Sequence, residues 1–238
     1  MRKDLNITKL PNILNDLNTV LFPQVCFGCN ARLYRGEQTL CVPCRDQLPL
    51  TEFNFSAENR LDRVFYGRIP IKKASCFLYF QEKGIVRNLI HHLKYRNQRQ
   101  IGPFLGKWYG KILSEDKALP VPDLVIPVPL HPKKLKKRGY NQVSGFSMEV
   151  ARMLCTLHRE DLLEKSTHTQ TQTRKSRLFR WQHQRPLFRV TDVTELSGKK
   201  VLLMDDVITT GATLEACVQA FSQAQDMEVY IAAIAMVP

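Results

Sequence analysis

Acidic residues are scarce in this sequence: 22 Asp and Glu stand against 35 Lys and Arg, a formal net charge of +13. None occurs between Lys83 and Ser114, between Leu124 and Met148, or between Lys165 and Arg189, and those stretches hold 19 of the 35 Lys and Arg. A surface of this kind serves either solubility or a polyanion, nucleic acid or a phosphorylated substrate. Long apolar runs are also missing. No stretch of about 18 apolar residues exists, so no membrane-spanning helix and no membrane insertion are expected. After Arg2 and Lys3 no secretory apolar core follows, because Asp4, Asn6, Asn12, Asn15 and Asp16 interrupt it. The expected location is the cytoplasm, where the seven cysteines stay reduced unless a metal holds them.

What the chain does have is ordinary globular content, 44% hydrophobic and 24% charged, over 238 residues. That is enough for one good core plus a small module. Leu10, Ile13, Leu14, Leu17 and Leu21 recur at helical spacing, so residues 1–22 read as an amphipathic helix. Residues 23–50 contain Cys26-Phe27-Gly28-Cys29 and Cys41-Val42-Pro43-Cys44, two CxxC units with 11 residues between them. In each unit two thiolates converge on one point, and two such knuckles supply the tetrahedron of sulfurs that zinc prefers. With four protein ligands no position stays open for water, so the zinc expected on Cys26, Cys29, Cys41 and Cys44 is structural. Cys76, Cys155 and Cys217 stand in apolar contexts and are expected to be small buried side chains. Residues 51–69 read as a connector without repeat or low-complexity character.

From residue 70 to 238 short apolar strands alternate with amphipathic helices. Strands are expected over Ile71–Phe80, Leu124–Val128, Val201–Met204 and Val229–Val237, and helices over Gly84–Arg96, Asn141–Leu157 and Thr213–Ala224. Fully apolar strands of this length argue for an α/β fold, a parallel sheet covered by helices on both faces. Ligands bind such sheets outside the carboxyl ends of the strands, here just after Val128 and Met204.

After Met204 comes Asp205-Asp206, then Thr209-Thr210-Gly211-Ala212-Thr213 leading into a helix. Two adjacent carboxylates repel each other unless they meet hydroxyls, a cation or a basic partner, and a ribose offers neighbouring hydroxyls. The Thr/Gly turn can encircle a phosphate with backbone N–H groups and hydroxyls, helped by the positive end of the helix. His91, His92 and His131 lack neighbours at ligand spacing, which argues against a second metal.

The string VLLMDDVITTGAT resembles the phosphoribosyl pyrophosphate (PRPP) motif of type I phosphoribosyltransferases. The resemblance implies that Asp205 and Asp206 hold the ribose hydroxyls and that Thr209, Thr210, Gly211, Ala212 and Thr213 hold the 5-phosphate. It implies a displacement of pyrophosphate from C1 of the ribose, with magnesium on the pyrophosphate. Val128, Pro129 and Leu130 stand where that family places its pyrophosphate loop, and Lys133, Lys134, Lys137 and Arg138 suit the mobile loop that covers it. Purine-salvage members carry an acidic residue at the position of Thr209; the threonine here, as in orotate-type enzymes, disfavours a purine acceptor.

A likeness over nearly the whole chain is to the ComF family: a four-cysteine module, Leu93-Lys94-Tyr95, PVPLHP…KRGYNQ (Pro127 to Gln142), Gln172-Thr173 with Arg177 and Arg180-Trp181, then the PRPP motif. His183 departs from the asparagine that several members carry there. This resemblance implies a type I phosphoribosyltransferase-like sheet behind a zinc-ribbon-like module, and a role in natural competence and the uptake of single-stranded DNA, with competence proteins as partners. Lys136, Tyr140, Arg174, Lys175, Arg177, Arg180 and Trp181 are the candidate nucleic-acid residues. Two other functions stay open: a phosphoribosyltransferase acting on a non-purine acceptor, and a PRPP-sensing regulator that binds nucleic acid. The sequence does not fix the oligomeric state.

Overall fold

The computed structural model describes residues 23–166 and 186–238. The helix expected over 1–22, together with Arg174, Lys175, Arg177, Arg180 and Trp181, lies outside the described residues.

Five strands form one parallel sheet: β1 (Lys73–Tyr79), β2 (Leu124–Pro127), β3 (Leu157–His158), β6 (Lys200–Ile208) and β7 (Glu228–Met236), in the order β1-β7-β6-β2-β3. Short β4 (Leu163–Lys165) and β5 (Phe188–Val190) pair antiparallel as a separate ribbon. The central strands β6 and β7 are buried along almost their whole length, which is why they read as unbroken apolar runs.

Their side chains alternate between two cores, as strand geometry requires. Leu202, Met204, Tyr230 and Ala232 join one core, shared with the helices Ile85–Tyr95, Ile101–Glu115 and Ser144–Met153. Val201, Leu203, Val229 and Ile231 join the other, shared with the helices Arg60–Phe65 and Ala212–Ala220 and with Leu163 and Phe188 of the ribbon. The first core also takes in Cys26, Leu40, Cys41, Cys44 and Leu48, so the cysteine module is fused to the body of the fold.

Several expectations are corrected. The strand expected to stop at Met204 continues to Ile208, so the aspartate pair lies inside it. The helix expected to reach Leu157 ends at Met153, and Leu157 becomes an exposed residue of edge strand β3. Cys76 and Cys217 are buried, but Cys155 is exposed. The segment read as connector contains the helix Arg60–Phe65, started by Asn59, whose side chain accepts from the Leu61 and Asp62 N–H groups while Asp62 answers the Asn59 N–H. No element was expected over Ile101–Glu115, because Gly102, Pro103, Gly106 and Gly110 lower its helical signal. Packing supplies the reason for the glycines. A Cβ on Gly106 would stand 2.4 Å from the Phe146 carbonyl oxygen, and one on Gly110 would stand 2.9 Å from Met153 Cβ. Small residues let this helix lie directly against Ser144–Met153.

Candidate phosphosugar site and cysteine cluster

Because side chains alternate along β6, the two aspartates leave the strand on opposite faces. Asp206 takes the face of Leu202 and Met204. There Lys94 Nζ lies 2.9 Å from its Oδ1, and the Gln142 side-chain amide donates to its Oδ2. Asp205 takes the other face, and its Oδ1 accepts the Asp206 N–H at 2.8 Å. Burial, then the charge of Asp206, pushes the Asp205 carboxyl up to about 7; Lys94 and Lys165 pull weakly the other way. The pair thus combines one carboxylate matched to a lysine and one held near neutrality.

Beyond Ile208 the chain turns through Thr209 and Thr210, both exposed, into the helix Ala212–Ala220. Gly211 precedes that helix at φ 78°, a left-handed conformation that glycine adopts without strain. Space demands glycine as well, since a Cβ here would fall 2.6 Å from Phe65 Cε1. The supposed connector therefore backs the loop directly. Arg68 ties the two together by donating to the Thr210 carbonyl at 2.9 Å and pairing with Glu215 at 2.5 Å. A cleft of about 30 Å³ runs along Asp205 and Val207 to Leu214.

The second strand end lies alongside. Val128 N–H donates to Met204 O at 2.8 Å, which carries the β2–β6 pairing one residue past Pro127. Pro129 and Leu130 line a cleft of about 470 Å³ with Leu135, Tyr140, Asn141, Gln142 and others. The basic run expected as a mobile loop is a helix, Pro132–Arg138, capped by His131, whose Nδ1 accepts the Lys133 N–H at 3.2 Å. Lys133, Lys134, Lys136 and Lys137 all point to solvent, and among the described residues none forms an ion pair. Arg138 stacks over Tyr95 at 5.3 Å, and Arg99 over Tyr140 at 4.6 Å. A larger cavity, about 720 Å³ between Leu50–Ser56 and the end of the Ile101–Glu115 helix, shares no residue with either strand end.

The four cysteines converge as their spacing foretells. Their sulfurs all lie within 4.8 Å of one another, and Cys29 and Cys41 Sγ are 3.7 Å apart. Cys26 Sγ accepts the Gly28 and Cys41 N–H groups, each at 3.3 Å, the support that a metal-bound thiolate receives. The set fits a tetrahedral, sulfur-preferring ion such as zinc. Asn88, on the Ile85–Tyr95 helix, donates to the Gly28 carbonyl at 2.7 Å and anchors the knuckle.

The structure thus gathers Asp205, Thr209, Thr210, Gly211, Ala212 and Thr213 along one small cleft, turns Asp206 to the opposite face of β6 toward Lys94 and Gln142, and brings Val128 beside Met204. It sets the four lysines of the basic helix apart, facing outward. Sequence reasoning did not assign Lys94, Gln142 or Arg68 to the site. For Gln142 the KRGYNQ run was a signal, and for Lys94 the Leu93-Lys94-Tyr95 motif; an arginine in a connector gave none.

Comparison with known proteins agrees with this layout. Residues 144–237 match the phosphoribosyl transferase domain. Competence protein F of Haemophilus influenzae is 27% identical over 201 residues, covering 79% of this chain and 86% of that protein. DNA utilization protein YhgH of Escherichia coli O157:H7 is 28% identical over 198 residues, 82% of each chain. Competence protein ComFC of Streptococcus pneumoniae is 36% identical over 110 residues, 46% of each. Among the described residues no helix is long and apolar enough to cross a membrane. Similarity to competence proteins over most of the chain, a phosphoribosyl transferase domain and a cysteine cluster able to hold a metal in front of it are together consistent with a ComF family protein.

Proposed function

We propose that this chain binds PRPP or a related phosphosugar at Asp205–Thr213 and serves natural competence by handling incoming single-stranded DNA. The observation that carries the reading is the threonine-glycine turn and helix N-terminus that follow β6, with buried Asp205 lining the same small cleft and buried Asp206 on the opposite face of the strand. Asp205 and Asp206 accept from ribose hydroxyls, and the turn encloses the 5-phosphate. Magnesium would accompany the pyrophosphate. Zinc on Cys26, Cys29, Cys41 and Cys44 holds the module to the body. The DNA role rests on the relatives' names and on the four solvent-facing lysines beside Tyr95 and Tyr140.

Isothermal titration with PRPP and Mg²⁺ tests the phosphosugar reading. Binding is expected in the wild-type chain and its loss in Asp205→Asn/Asp206→Asn; silence at millimolar PRPP, or binding indifferent to the double substitution, sinks it. For DNA, affinity for a short oligo-dT should fall steeply with salt, and a flat response counts against the role. A second reading, transfer of phosphoribose to a non-purine acceptor, draws on the cleft of about 470 Å³ beside Gln142, which has room for an acceptor. Pyrophosphate release that depends on an added acceptor is its signature.

A further inference from the structure

One side chain joins the basic helix to the phosphosugar site. Arg138 Nη1 donates to Gln142 Oε1 at 2.7 Å, and Gln142 Nε2 donates to Asp206, which Lys94 also holds. Gln142 and Asp206 are both buried, so the middle of this chain of contacts is shielded from water. Only one orientation of the amide works: turned over, its oxygen would face a carboxylate and its NH₂ a guanidinium. The local fold enforces the meeting. Gly139 closes the basic helix by donating to Leu135 O at 2.7 Å, Tyr140 reaches the Leu93 carbonyl, and Asn141 Nδ2 reaches the Val128 carbonyl at 3.0 Å. Within five residues the chain therefore touches the basic helix, the Lys94 helix, the end of β2 and the C-terminal part of β6.

We infer that Gln142 is a positioning residue that couples the cationic helix Pro132–Arg138 to Asp206, so that polyanion binding on the helix and phosphosugar binding at the aspartates are linked. The functional half of this inference rests on the phosphosugar reading above; the contact half does not. An amide is the side chain that can give to a carboxylate and take from a guanidinium at once. Methionine at 142 keeps the packing and removes both bonds. Glutamate keeps the acceptor for Arg138 but sets a second carboxyl against Asp206. When an anionic strand draws Arg138 outward, Gln142 loses its acceptor contact and its hold on Asp206 changes. By reciprocity a ligand that engages Asp206 changes the helix's affinity for the strand by the same factor.

The full chain carries the test. In ¹⁵N-labelled protein, Asp206→Asn is expected to shift the Arg138 guanidinium resonance, and to leave it in place when Gln142→Met is already present. Next, PRPP with Mg²⁺ and a short oligo-dT are titrated separately and together. Each is expected to change the other's affinity about fivefold or more, an effect that Gln142→Met abolishes, with Gln142→Glu weakening PRPP binding further than Gln142→Met does. An Arg138 resonance that ignores Asp206→Asn, or moves equally in both backgrounds, overturns the inference whatever PRPP does. Two ligands that bind the wild-type chain independently overturn it as well. If PRPP does not bind while the resonance responds through Gln142, the phosphosugar reading falls and the positioning role stands.

Discussion

The four-cysteine module draws all its sulfurs from residues 26 to 44, whereas the candidate phosphosugar loop, residues 205 to 213, takes the groups that set its charge from distant segments. In the module, spacing alone brings the ligands together, and a metal would close them into a unit. In the loop the backbone is local, but Lys94 arrives from one helix, Gln142 from the turn after another, and Arg68 from what reads as connector. A site completed within one stretch of chain is specified by its own turns. A site completed across the fold is specified by packing, and its electrostatics respond to changes far away in sequence.

The largest effect should come from breaking the local site. If the cluster holds zinc as proposed, Cys44→Ser or a strong chelator should release it, and a structural zinc site typically contributes more than about 5 kcal/mol of folding free energy. In a chain of this size that corresponds to a fall in Tm of roughly 10–20 °C. The fall should be global, because Cys44 shares a core with Val86 and Leu89; a calorimetric trace that keeps its Tm after metal removal would separate the module from the body.

The distant partners should come next. Lys94→Met leaves Asp206 buried with Gln142 as its remaining partner, and stranding a buried charge costs about 3–5 kcal/mol. Urea unfolding measures it. A loss below about 1 kcal/mol would show that the site tolerates its own charge and would erase the contrast with the module.

Per pH unit, a smaller effect follows from the Asp205 carboxyl. The Asp205 carboxyl sits near 7 in the folded chain, raised from 3.8 by burial and by Asp206. Between those values the folded chain keeps a proton that the unfolded chain has released, so stability falls as pH rises through the window, by roughly 1.4 kcal/mol per unit for an ideal single site. Asp205→Asn should flatten the slope between pH 4 and 7. An unchanged slope in that variant would assign the dependence to other groups.

The smallest effect is expected at Arg68, an exposed partner of Glu215. Its Met variant should cost less than about 1 kcal/mol, as surface ion pairs do. It should nonetheless weaken PRPP binding by freeing the Thr210 carbonyl, which titration calorimetry reads. Equal losses of stability and binding would make Arg68 a purely structural strut.

Much of the fold can be read from hydrophobic runs. VLLM and VYIAAIAMV announce central strands because both their faces are buried. The helix Ile101–Glu115 escapes such reading because its glycines serve contact with Phe146 and Met153, a requirement that exists only once two helices lie together. Cys155 and Leu157 mislead for a related reason: apolar neighbours in sequence do not ensure burial at a helix end or a sheet edge.

By itself the sequence determined the four converging sulfurs, four of the five strands and three of the helices of a parallel-sheet fold, and the Asp-Asp and Thr-Gly elements of the candidate phosphosugar loop. Each of these follows from short-range spacing or from periodicity. Only the tertiary structure decided that Asp205 and Asp206 face opposite cores, that Lys94 and Gln142 meet Asp206, and that Phe65 and Arg68 back the loop. Those pairings depend on where strands and helices lie against one another, and charge matching at a buried site is settled by that placement.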